Sequence, residues 1–231
     1  MNNMQHKGFS FNMDRGAHMI VEALRQALEI VMPDIMVDNG FQERNGYGQF
    51  RWNAIIGQLR DKCQHLGWLD FAVCKRGAWK TPVLFHFDTK YLLTFMTEET
   101  FSNVQRRKEK GKHYLCGGAS FNNGLVPQTE QIQMELPPVD KTYGEWIAKS
   151  REQLASALEM DEIQIKGHIL IIFDVKNDTL LSVRAVRLTQ ELAISTEEEN
   201  WSKFIRVPFN TSEMIKLDKT EEDTEELVEL I

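Results

Sequence analysis

The spacing of apolar residues from Asp14 to Met32, with Ile20, Leu24, Ala27, Leu28 and Val31 on one stripe, predicts a helix that Pro33 ends. A second helical face runs from Phe50 to Leu66, where Ile55, Leu59, Cys63 and Leu66 share one side and Gly67 suits the C-terminal cap. Strand-like segments follow at Leu69–Lys75, Trp79–Phe87 and Tyr91–Met96, with turns at Arg76-Gly77 and at Asp88-Thr89-Lys90. Thr97 reads as the N-cap of a third helix that carries Glu98 and Glu99 in its first turn and basic residues towards Gly111. Tyr114 to Val126, with Gly117, Gly118 and Gly124, reads as a strand-and-loop piece. Val126 to Lys141, with Pro127, Pro137 and Pro138, reads as a linker. Thr142 and Glu145 form a capping box for a helix reaching about Met160.

The period then changes to two. Ile163, Ile165, Ile169, Ile171, Phe173 and Val175 alternate along one strand. Asn177-Asp178 turns the chain, and Thr179 to Leu188 returns. Glu191 to Trp201 is ambiguous between helix and acidic loop, and Phe204 to Phe209 could add a strand. These elements predict an α+β fold: an antiparallel sheet built from two hairpin or meander units, with about four helices packed on one side of it. Residues 1–210 are expected to form one globular domain, divisible at most into halves 1–126 and 140–210, and residues 211–231 an acidic tail.

Composition sharpens this picture in one respect. The 231 residues carry a net charge of −7, with 42% hydrophobic and 26% charged residues, which excludes a disordered or collagenous chain. Residues 211–231 hold eight acids against two lysines, so the remainder, with 25 basic and 26 acidic side chains, is almost neutral. The pI of about 5.5 therefore belongs mainly to the tail and says little against an anionic partner. Three cysteines without a close pair fit a reducing compartment. Met1 to Asp14 lacks the apolar core of a secretory signal, and the longest strongly apolar stretch, Ile169 to Phe173, is too short to span a bilayer. A cytoplasmic protein without membrane contact is expected.

Four constellations could carry chemistry. Asp88-Thr89-Lys90, with Asp70 upstream, resembles the carboxylates and lysine that hold Mg²⁺ and position water in nucleases of the restriction-endonuclease-like fold. If Arg76-Gly77 is the turn, Asp70 falls opposite Leu84, and Asp88 then lies roughly 13 Å further along, too far to share one metal. The second copy, Asp174-Val175-Lys176, falls opposite Leu181 with no acid nearby except Asp178. Cys116 before Gly117-Gly118 could pair a nucleophile with an amide oxyanion site, although a plain cysteine beside a glycine turn is the favoured reading. No metal site and no cofactor are expected.

The third constellation is basic: Arg106, Arg107, Lys108, Lys110 and Lys112, with Lys75, Arg76 and Lys80 on the first hairpin, would contact phosphates if they shared one face. The fourth is aromatic. Trp79 and Trp52 have charged or polar neighbours and are the expected anchors for a protein partner, and the last hairpin offers an edge for a homodimer by strand addition. The working expectation is a non-enzymatic interaction or regulatory protein, with a nucleic-acid-binding protein or Mg²⁺-dependent nuclease as the alternative. The run Arg51 to Phe101, including Gly77-Ala78-Trp79-Lys80-Thr81-Pro82 and Leu93 to Phe101, resembles uncharacterised bacterial or phage-borne proteins. That resemblance implies no activity and no catalytic residues.

Overall fold

A computed structural model describes residues 9–38, 46–76, 79–107, 113–128 and 141–205. Helix α1 (Asp14–Gln26) enters a π turn (Ala27–Val31) and continues as α2 (Met32–Asp38), and α3 (Tyr47–Cys63) follows. Pro33 does not end the first helix as its type suggests. A proline ring crowds the carbonyl four residues earlier and supplies no N–H, and the wider π turn just before it lets the helix pass through that misfit.

Strands β1 (Leu69–Arg76), β2 (Trp79–His86) and β3 (Tyr91–Thr97) form an antiparallel meander. The crossover α4 (Glu98–Arg106), α5 (Leu115–Ala119) and α6 (Lys141–Ala157) leads to a second meander, β4 (Gly167–Lys176), β5 (Thr179–Leu188) and β6 (Ile194–Asn200). The six strands make one sheet in the order β1-β2-β3-β4-β5-β6. The fold is α+β, and the two meanders are joined by the single parallel pair, β3 with β4.

Alternation along the strands divides the core. Leu84, Leu93, Phe95, Ile169, Ile171, Phe173, Val183 and Ala185 face α1 and α3. Val83, Phe85, Leu92, Leu170, Ile172, Val186 and Leu188 face α4, α5 and α6. The helices thus cover both faces, where one side was expected, because the strongest strand is apolar at every position from Ile169 to Phe173 and needs cover above and below.

Local differences follow from packing and turn chemistry. Asn177 and Asp178 both adopt positive φ, 48° and 63°, as a tight two-residue hairpin turn demands. The first hairpin pairs Arg76 with Trp79, which sets Asp70 opposite Phe85, one residue from the expected Leu84, and the residues between Arg76 and Trp79 lie outside the described ones. A register shift between Asp174 and Val175 likewise sets Asp174 opposite Ser182. Residues 115–119 are helical, and 162–164 form a 3₁₀ turn capped by Asp161, so β4 begins at Gly167. The ambiguous 191–201 region resolves into β6, whose first residues are flanked by Pro127 and Gln128. The β4–β5 hairpin lies inside the sheet with both edges paired, so the expected strand-addition surface is taken by β3 and β6. Residues 206–231, including the strand suggested near Phe209 and the acidic tail, lie outside the described residues.

Helix α5 also lies close against β4. A methyl group on Gly118 would sit 2.8 Å from the His168 ring, which is itself fully buried. Gly118→Ala is therefore expected to lower stability by about 1–3 kcal/mol, seen as a lower urea midpoint with an unchanged slope. A midpoint equal to that of the parent would show that the layers part easily.

Candidate functional site

β2 pairs with β3 only from Val83 to His86. Pro82 has no N–H to extend the ladder, and Trp79 to Pro82 pair with β1 alone. Over these residues the β1–β2 hairpin consequently separates from β3 as a two-stranded arm. Beneath it, α3 presents Gln49, Trp52, Asn53 and Ile56 at helical spacing on one side. Arm and helix enclose a pocket of about 180 Å³ lined by these four residues together with Trp79 and Lys80.

The two indoles are held differently. Trp52 is half-buried and set edge-on to Phe173 of β4, with ring centroids 6.0 Å apart, so it forms a fixed wall. Trp79 is 57% exposed. Lys80 is exposed and directly opposite Lys75 across the hairpin. The pocket therefore combines two aromatic faces, two side-chain amides and a cationic rim, with no carboxylate in its lining. This chemistry suits an amphipathic segment bearing negative charge.

The other sequence candidates are dispersed. Arg106 and Arg107 are exposed at the end of α4, where Gln105 donates to the Leu192 carbonyl in the β5–β6 connection. That places them at the opposite end and edge of the sheet from Trp79 and Lys80, so the described cations do not share the one face that the alternative reading requires. Lys108, Lys110 and Lys112 lie outside the described residues. Asp70 caps its own strand, accepting from the Phe71 N–H at 2.8 Å, whereas Asp88 is exposed in the β2–β3 turn. From Phe85, the partner of Asp70, to Asp88 is three residues or roughly 10 Å. Lys90, with φ 60°, places its Nζ 5.9 Å from the centroids of Phe85 and Phe87. Among the described residues no three His, Cys, Asp or Glu side chains gather into a metal-holding group.

The cysteines do not offer a nucleophile. All three are buried, and burial next to Asp70 pushes the Cys63 thiol up to about 12. Gly117 and Gly118 direct their N–H groups to the Tyr114 carbonyl, at 2.9 and 3.3 Å, which leaves no oxyanion donors beside Cys116. Tyr143, hydrogen-bonded to Cys116, is pushed up to about 12 by burial and that contact.

Trp52 and Trp79 were legible from their polar neighbours, but Gln49, Asn53 and Ile56 were missed as their companions. The available signal was the helical spacing of 49, 52, 53 and 56.

The fold and pocket define a mixed-sheet α+β protein, helices on both faces, with an aromatic recess at the end of the sheet where β2 leaves β3. The chain belongs to the DUF5986 family, a family of unknown function whose model matches residues 9–230. No curated protein and no solved structure matches it. Among the described residues no helix is long and apolar enough to cross a membrane.

Proposed function

We propose that the protein is a non-enzymatic binding protein of the cytoplasm that captures another protein at the Trp52–Trp79 pocket. The observation that carries this reading is the convergence of two indoles from distant sequence positions on one recess, the outer one more than half exposed. Tryptophan contributes disproportionately to protein interfaces because it removes a large apolar area from water while fixing few torsions. The dispersal of the described basic residues weighs against a phosphate-tracking surface. Three buried cysteines outside any disulfide support a reducing compartment.

The test is capture of partners from nuclease-treated host lysate by the full chain and by Trp79→Ala, read by mass spectrometry. A defined protein should be recovered by the parent and fall about thirtyfold with the variant, the equivalent of roughly 2 kcal/mol at an anchor residue. The melting temperature should stay unchanged, since Trp79 contributes little to the core. Equal recovery by both chains, or recovery that disappears with nuclease, would overturn the reading.

A further inference from the structure

We infer that residues 211–231 of this same chain dock in cis on the Trp52–Trp79 pocket and compete there with the protein partner. The inference rests on the reading of that pocket as a protein-binding site. It starts from an electrostatic misfit. Lys75 and Lys80 are direct cross-strand partners, both are exposed, and neither makes an ion pair among the described residues. Like charges in directly opposite positions destabilise a hairpin unless an anion lies over them. The pocket next to them has two indoles and Ile56 for apolar contact.

Residues 211–231 match both properties. They carry a net −6, while the rest of the chain is within one charge of neutral, and Leu227, Val228, Leu230 and Ile231 follow the acids. The family match runs to residue 230, so this segment is part of what defines the family. Geometry permits the contact. Phe204 and Ile205 pack against the core on the α1 and α3 face, so the described chain ends on the same side as the pocket's α3 wall. Trp201 and Ser202 bond to Val183 of β5, and β2 is three strand spacings away, about 14 Å. Residues 206–220 alone reach about 50 Å when extended. A tethered segment also acts at an effective concentration in the millimolar range, so modest intrinsic affinity suffices for it to compete with a partner while leaving the pocket open part of the time.

Zero-length carbodiimide coupling of the full chain at low protein concentration tests this directly. The monomer band is digested and the lysine–carboxylate links are read by mass spectrometry. Lys75 and Lys80 should link to the acids between Glu213 and Glu229 at least about fivefold more than the exposed Lys149, Lys166 and Lys176 do. The preference should fall about fivefold in Trp79→Ala and collapse in about 0.5 M salt. An even spread over all lysines, links unaffected by Trp79→Ala, or links confined to a dimer band would each overturn cis docking. Trp79-dependent capture of a partner without these links would sink the tail inference alone. The links without any such partner would sink the binding reading and the competition with it, leaving the cis contact alone.

Discussion

Asn122→Leu is expected to bring the chain close to unfolding. Asn122 is 1% exposed, and its Nδ2 donates to the carbonyls of His168 and Leu188, at 2.9 and 3.1 Å. Its Oδ1 accepts from the His168 N–H at 2.8 Å and from Arg187 Nε at 3.1 Å. The ladder between β4 and β5 begins only at Leu170 and Val186, so one side-chain amide stands where His168 and Leu188 would otherwise pair. Leucine keeps the size and removes every polar atom. Three buried backbone groups then lose their partner at about 1–3 kcal/mol each, a sum comparable with the whole stability of an ordinary domain. Urea denaturation should show a loss of at least about 4 kcal/mol, or the variant should fail to accumulate as soluble protein. A loss under about 1 kcal/mol would mean that β4 and β5 close over the gap unaided.

The second large effect is on acid stability. His168 is fully buried, its Nε2 lies 2.8 Å from Thr94 Oγ1, and its Nδ1 has no partner. Burial first, and the Arg187 guanidinium second, push its pKa down from 6.5 to about 3. The folded chain therefore holds this ring neutral, while the unfolded chain protonates it below about 6.5. The contribution is complete above the unfolded value and is lost as pH falls from 6.5 towards 3, with a limiting slope of about 1.4 kcal/mol per pH unit. The full loss is on the order of 5 kcal/mol. His86, lowered chiefly by burial, acts in the same direction. Stability measured by urea at successive pH values should fall steeply between pH 6 and 4, and His168→Phe should flatten that slope. An equally steep profile in the variant would exclude His168 as its origin.

Much of the architecture was readable because it depends on local chemistry. The Asn177-Asp178 turn, the Thr97 cap with its side chain accepting from the Thr100 N–H, and the stripes of α1 and α3 are decided within a few residues. The misplaced features depend on what lies across the sheet. Alternation shows which residues share a face but not which helix covers it, so cover on both faces became visible only with the second layer in place. Pro33 reads as a stop until the π turn before it is seen. Asn122 follows Phe121 in a run that reads as loop, and nothing in Asn122-Asn123-Gly124 signals an amide inserted between two strands. The pocket was half legible. Its indoles stood out by their neighbours, whereas their meeting depends on the arm that Pro82 releases from β3.

The parallel pairing of β3 with β4 also bears on how the chain reaches this fold. Each meander closes between neighbours in sequence, but Tyr91 meets Gly167, 76 positions further along the chain. Loop closure on that scale is slow relative to hairpin formation, so the two meanders assemble before they join. Until they do, β3 and β4 each expose an unpaired edge rich in Leu, Ile and Phe. Such edges are the ones most prone to pair with the wrong chain, so during synthesis the interval before β4 emerges is the period of greatest aggregation risk.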